Sequence, residues 1–273
     1  AARLLPAARS DGDGAYAGPV REERGIRFEQ VGFRYPGQSD FALRGIDLVI
    51  PAGQSLALVG HNGAGKTTFI KLLLGLYEPT EGRVLLDGQD LRELPRDEVR
   101  RRMAVVFQDF NHYQLTAREN VAYGSPESLA DEARIAQAIA HGGADEVIAA
   151  LPRGLDTQLG RWFPGGVELS GGQWQRLALA RSLMRTDADV LVLDEPTAAL
   201  DVDAEAAVFE RVQRLAKGRT LLLISHRFAN VRRAEHIVVL DRRGVAEQGA
   251  HEALMAHDGL YAAMFRKQAS GYA

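Results

Sequence analysis

Gly60-His61-Asn62-Gly63-Ala64-Gly65-Lys66-Thr67-Thr68 decides how the rest of the chain is read. It fits G-x-x-x-x-G-K-[ST], the pattern of a loop that cradles phosphates. Ser55-Leu56-Ala57-Leu58-Val59 before it is short, apolar and strand-like. Phe69-Ile70-Lys71-Leu72-Leu73-Leu74 after it reads as a helix that stops at Gly75. Strand, glycine loop and helix is the order the chemistry needs. Glycines let successive backbone N–H groups turn inward on a polyphosphate. The new helix adds free N–H groups and the positive end of its dipole. Lys66 supplies a point charge for the β- and γ-phosphates, and Thr67 a hydroxyl for Mg²⁺.

Outward from the loop, the pattern is β toward the N-terminus. Ile26-Arg27-Phe28-Glu29 alternates, and Val31-Gly32-Phe33-Arg34-Tyr35 alternates again up to a Pro36-Gly37 turn. Residues 43–50 read as a further strand, as do 82–86 before Asp87-Gly88 and 103–107 before Gln108. Residues 109–186 change character, with alanines at helical spacing over 128–150 and a second helix over 172–184, which reads as a helical insert. The β/α alternation then resumes. Val190-Leu191-Val192-Leu193 ends in Asp194-Glu195, 202–216 is helical, and Thr220-Leu221-Leu222-Leu223-Ile224 ends in Ser225-His226. Residues 237–240 and 244–247 read as an edge hairpin, and 250–268 as helix. Short, fully apolar strands between helices predict a mostly parallel sheet covered on both faces.

Composition narrows the class. A chain of 273 residues has ample length for a core, and 46% hydrophobic with 25% charged residues is ordinary for a globular protein. A net charge of −3 gives no global basic field for nucleic acid. The absence of cysteine excludes disulfides, thiolate catalysis and thiolate metal sites, and fits a reducing compartment. No run of about 18 apolar residues marks a membrane span. Residues 1–24, with Ser10-Asp11-Gly12-Asp13-Gly14 and Gly18-Pro19, read as a tail or linker; Arg3 and Arg9 among alanines faintly resemble a transit peptide. With a start lacking Met, a linker from a longer chain is the preferred reading.

Two further stations carry chemistry. Asp194-Glu195 ends an apolar strand, where an α/β sheet places its ligands. Two acids often merely end a strand, but beside a phosphate loop they supply a water-mediated hold on Mg²⁺ (Asp194) and a group to polarise attacking water (Glu195). Leu169-Ser170-Gly171-Gly172-Gln173 opens a helix with two glycines and a hydroxyl, a second anion nest of the same physical kind. Taken alone, a plain helix cap is the favoured reading, since Ser is preferred there.

In this order the motifs resemble the nucleotide-binding domain of an ABC transporter, over about residues 26–268, with LSGGQ at 169–173 as that family's signature. The resemblance implies a P-loop NTPase (RecA-like) α/β fold. A mostly parallel core sheet carries an N-terminal antiparallel β subdomain and an inserted α-helical subdomain at about 109–186, within a domain spanning 25–269 and followed by a short tail, 270–273. It implies ATP and Mg²⁺ as ligands. Gly60, Asn62, Gly63, Ala64, Gly65, Lys66, Thr67 and Thr68 would cradle the phosphates, and Tyr35 would stack on adenine. Ser170, Gly171, Gly172 and Gln173 would close on ATP held by another copy, and Asp201 would meet the partner subunit. Thr67, Gln108 and Asp194 would hold the metal, with Glu195, His226, Gln108 and Lys66 as catalytic groups; His226 would contact the γ-phosphate.

The two anion nests are far apart in sequence, so one ATP uses both within a chain only if the insert folds back. The family's solution is a head-to-tail dimer, homo- or heteromeric, working with a transmembrane domain at the cytoplasmic face of the membrane. The stretch 247–261 resembles exporter cassettes more than importer ones, and 110–115 is expected to dock the membrane domain, unless its aromatics pack internally. The departures are small: Ala198 stands where serine is common, and Gly160-Arg161-Trp162-Phe163-Pro164-Gly165-Gly166, which lies where exporters of this family contact the neighbouring subunit's membrane domain, is bulkier than usual. A non-transport ABC ATPase acting on nucleic acid or ribosomes is the alternative, but the chain has one cassette, no heptads and no basic stripe. A module without turnover is disfavoured by intact Glu195, Gln108 and His226, and a kinase or GTPase has no use for LSGGQ.

Overall fold

The loop's own helix is the centre of the packing. In the computed structural model, which describes residues 24–196, 202–241 and 243–270 (with only the backbone of 202–207), α1 (Lys66–Leu73) lies between two sheets. Phe69, Ile70, Leu72 and Leu73 of α1 are buried in one cluster with residues of both sheets. Phe69 stacks on Phe28 of β1 at 4.1 Å.

The first sheet is formed by β1 (Gly25–Phe33), β2 (Leu43–Pro51), β4 (Glu81–Leu86) and the short β5 (Gln89–Asp90), in the antiparallel order β2-β1-β4-β5. In β1 and β2 residues such as Ile26, Phe28, Ile46, Leu48 and Ile50 point to the cluster, while Arg27, Asp47 and Val49 face out. What the sequence presents as two alternating runs is a single strand. A bulge with Gln30 at φ 47° resets the alternation between Phe28 and Val31.

The second sheet runs β10-β9-β3-β8-β7-β6, from β3 (Ser55–Gly60), β6 (Met103–Val106), β7 (Val190–Asp194), β8 (Thr220–Ile224), β9 (His236–Asp241) and β10 (Gly244–Gly249). It is parallel except for β10, the edge strand that forms a hairpin with β9. Both faces are covered, so its strands read as unbroken apolar runs. Leu56, Leu58, Val192, Leu222, Val238 and Leu240 face α1. Alternate residues face the other way, against α7 (Val202–Leu215) at one end and α8 (Phe228–Val231), α9 (His251–His257) and α10 (Leu260–Ser270) at the other.

The helical insert comprises α3 (Ala117–Ala122), α4 (Glu132–Gly142), α5 (Asp145–Ala149) and α6 (Gly171–Leu183). Capping boxes start α3 at Thr116 and α6 at Ser170. Trp174, Leu177, Ala180 and Met184 pack on the insert's own core, whereas Leu179 and Leu183 pack under the parallel sheet. Thus α6 belongs to both units and ties them together.

The architecture is the expected one: a mostly parallel core sheet, an antiparallel β unit and a helical insert. The boundaries differ in places. Residues 250–268 form two helices, because Asp258 caps α9 in the left-handed region at φ 58° and the Glu247 carboxylate caps the start of α10. The helix α2 (Arg96–Arg101) carries one buried residue, Val99, so it has no apolar periodicity to betray it. Residues 1–23 of the stretch read as a linker, and the loop carrying Ala198 and Asp201, lie outside the described residues.

Gly124 follows α3 where the chain passes over α6, and a Cβ there would stand 1.7 Å from the carbonyl oxygen of Arg181. Backbone cannot yield as a side chain does. Gly124→Ala is expected to cost about 2 kcal/mol or more, lowering Tm by roughly 4 °C or more in a thermal melt; an unchanged Tm would mean that α3 and α6 are not packed this closely.

Candidate nucleotide-binding site

At the N-terminus of α1, Gly65 is the N-cap, with φ 102° and no side-chain cap hydrogen bond. The first-turn N–H groups of Lys66, Thr67 and Thr68 have no intrahelical acceptor in any α-helix, and here no capping side chain serves them. They face a cavity of about 820 Å³, a size suited to a small-molecule ligand. Gly63, at φ 80°, and Gly65 take backbone conformations that other residues rarely adopt; a Cβ on Gly65 would also stand 2.5 Å from Leu43 Cδ2. An anion with several oxygens is what this cradle fits.

Lys66 lies 9% exposed beneath the loop. Its Nζ donates to the Gly60 carbonyl at 2.8 Å and to the His61 carbonyl at 3.2 Å. Burial lowers its pKa, while the charges of Glu195 and Asp194 act in the opposite direction. Asp194 ends β7 at 3% exposure. Burial, reinforced by the Glu195 charge, raises its pKa to about 6, against the pull of Lys66. Glu195 sits at φ 50°, with its N–H donating to the Ile224 carbonyl at 2.9 Å and its own carbonyl accepting from Gln175 Nε2 at 3.3 Å. A non-glycine residue held in that region at a strand end is strain of the kind that collects at functional sites. Its Oε1 lies 2.6 Å from His226 Nε2, which comes from the turn after β8.

Asn62, Gly63, Gly65, Lys66, Thr67, Thr68, Gln108, Asp194, Glu195, His226 and Tyr35 all line this one cavity. Gly60 and Ala64 are absent from its lining. Gly60 lets β3 approach β9, since a Cβ there would stand 2.3 Å from the Leu240 carbonyl oxygen, and Ala64 is buried in the main core. Tyr35 donates or accepts at Thr68 Oγ1 across 3.0 Å and meets Phe33 and Tyr77 edge-on.

Ser170, Gly171, Gly172 and Gln173 do not line the cavity. Ser170 Oγ accepts from the Gln173 N–H at 3.3 Å, and Gln173 Oε1 accepts from the Ser170 N–H at 2.8 Å. Within the chain this stretch is therefore a helix cap, the simpler of its two readings.

A family model described as ABC transporter matches residues 43–198, more than half of the chain. The chain belongs to the ABC transporter family. Within that family it is a nucleotide-binding domain of the exporter type. It is 42% identical over 94% of its length to the ATP-dependent lipid A-core flippase of Chromohalobacter salexigens, covering 43% of that protein. Identity is 45% to the flippase of the same name from Cupriavidus pinatubonensis, over 92% of this chain and 42% of the relative, and 41% to that of Escherichia coli K12, over 89% and 41%. Among solved structures it resembles a bacterial Atm1-family ABC exporter with ATP bound, with TM-score 0.83, 35% identity, and coverage of 93% of this chain and 44% of that one. The chain thus spans about two-fifths of the length of these relatives. Among the described residues no helix is long and apolar enough to cross a membrane.

Several lining residues of this ABC domain carried no sequence signal. Gln38, Asp40, Phe41 and Arg243 also reach the cavity. Arg243, on the β9–β10 hairpin, pairs with Asp40 at 3.5 Å, and Phe41 lies under Arg34 at 3.5 Å. The 110–115 stretch is divided. Phe110 packs on the insert's core and His112 stacks flat on Trp174 at 4.6 Å, while Asn111 and Tyr113 are exposed. Trp162 is 83% and Phe163 52% exposed.

Burial lets the folded chain keep the Asp194 proton between the ordinary 3.8 and about 6. The stability this gives is complete below 3.8 and is lost as pH rises through about 6. By pH 8 the ionised group costs on the order of 2–3 kcal/mol. Asp194→Asn is therefore expected to raise Tm more at pH 8 than at pH 5, where only part of that cost has developed. Equal Tm shifts at the two pH values would show that burial does not hold that proton.

Proposed function

We propose that this domain binds and hydrolyses ATP in a head-to-tail pair with a second ABC domain, and that hydrolysis powers export through a membrane-spanning portion of the same parent protein. One observation carries the reading. Tyr35, Lys66, Thr67, Gln108, Asp194, Glu195 and His226 line one cavity while Ser170–Gln173 does not, which supports a reading in which that nest serves the cavity of another copy.

The chain's own groups have separate tasks. The loop N–H groups and Lys66 hold the β- and γ-phosphates, and Tyr35 offers its ring to the adenine. Thr67, Gln108 and Asp194, all lining the cavity, would hold Mg²⁺. The metal, when bound, neutralises charge on the phosphate oxygens. Glu195 orients and polarises the water that attacks the γ-phosphorus, and the P–O bond to ADP breaks as the water oxygen bonds. His226 Nε2, 2.6 Å from Glu195, steadies that carboxylate and turns toward the γ-phosphate. Binding favours the closed pair because both nests contact one triphosphate. Loss of the γ-phosphate removes that differential contact, and the pair reopens. The exposed Trp162, Phe163 and Tyr113 would then meet the membrane portion, Trp162 and Phe163 that of the neighbouring subunit.

ATPase activity is expected to rise more than linearly with protein concentration, and strict proportionality at high dilution would count against the pair. Glu195→Gln is expected to lower kcat by about 100-fold or more while retaining ATP binding and a dimer in sedimentation; ordinary turnover would remove Glu195 from its role. For Tyr35→Ala the expectation is a Kd for ATP weakened about three- to tenfold with little change in kcat, and an unaltered Kd would refute stacking.

A further inference from the structure

Gln268 stands in the last turn of α10, forty-two residues beyond the histidine whose turn it touches. Its amide grips the β8–α8 turn from two directions. Nε2 donates to the His226 carbonyl, and Oε1 accepts from the Phe228 N–H at 2.7 Å. A side-chain amide presents a donor and an acceptor side by side, as a peptide group does. The two bonds therefore act as a strand bridge across 226–228. From inside the turn, Ser225 Oγ accepts from the Arg227 N–H at 3.0 Å. The backbone around His226 is thus tied on both sides, and its imidazole lies 2.6 Å from Glu195.

We infer that Gln268 is a positioning residue for His226, fixing the turn so that the imidazole stays aimed at Glu195 and the γ-phosphate. The inference rests on the proposed role of His226. The competing account is that Gln268 merely fastens α10 to the body. That helix is fastened without it. Tyr261 and Ala262 are fully buried, Phe228 packs edge-on against Tyr261 at 5.4 Å and Phe265 at 5.7 Å, and Glu247 caps the helix start. Gln268 lies beyond that docking and is only half-buried. Its bonds act on the turn, and the helix serves as their rigid support.

Gln268→Met keeps the side chain's length and removes both hydrogen bonds. It is expected to lower kcat about three- to tenfold, with KM for ATP unchanged. In a His226→Ala background the same substitution is expected to add nothing. By NMR, the His226 ring resonance, assigned by its loss in His226→Ala, should move in Gln268→Met while those of the other six histidines stay. An unmoved His226 resonance overturns the inference, as does an equal fall in kcat in both backgrounds. A wild-type chain that hydrolyses no ATP overturns the proposed function instead, and the resonance still decides whether Gln268 holds the turn.

Discussion

Lys66 is the charge on which the site depends. Its ammonium is buried and makes its two described hydrogen bonds to the carbonyls of Gly60 and His61, not to a carboxylate. Asp194 and Glu195 act on it through the field. A buried cation without a bonded counter-ion is costly in isolation. Here the cost is offset by loop carbonyls and by two acids at the end of β7. The acids show the reverse of this balance: Asp194 is driven toward its neutral form, which a bound cation would undo.

That electrostatic arrangement requires rigid backbone on each side. On one side α1 is clamped between the sheets through Phe69 and its neighbours, so its N-terminus cannot drift from β3. On the other, Glu195 is pinned to the end of β8 by its N–H, and the turn carrying His226 follows that same strand. Adjacent parallel strands β3, β8 and β7 therefore deliver the loop, the histidine and the acids to one edge of the sheet. This is the general reason that ligands lie at the carboxyl ends of strands in an open α/β sheet. Parallel pairing sends every strand's C-terminal turn to the same side.

Such delivery is legible in sequence because each station ends or directly follows an apolar run: Gly60 at the end of β3, Asp194-Glu195 at the end of β7, and Ser225-His226 after β8. Groups that reach the cavity by tertiary packing alone leave no such mark. Arg243 arrives on a hairpin tip, where Arg44 N–H donates to its carbonyl at 2.8 Å, and Phe41 arrives on the β1–β2 connection. Gln268 is an ordinary polar residue in a C-terminal helix until folding sets it across the His226 turn. The bulge at Gln30 and the break at Asp258 were hidden for a different reason. Each depends on one residue entering the left-handed region, which composition alone does not announce for Gln or Asp as it does for Gly.

The self-capped signature bears on how two copies would join. Ser170 Oγ accepts from Gln173 N–H, yet its hydroxyl hydrogen is not engaged by that bond and can be donated elsewhere. The cap and a phosphate contact are therefore compatible at the same atom. The Gln173 carboxamide is held back on the Ser170 N–H at 2.8 Å, which keeps the turn fixed. Trp174 secures it from behind, its Nε1–H donating to Glu168 at 3.1 Å and its ring flat against His112. A nest ordered in the lone chain needs no refolding to meet a ligand. In the proposed pair, the cost of closure would then fall mainly on bringing two domains together and on desolvating the triphosphate. Such an arrangement would suit a reversible clamp, with the contacts of the γ-phosphate deciding which state of the proposed pair is populated.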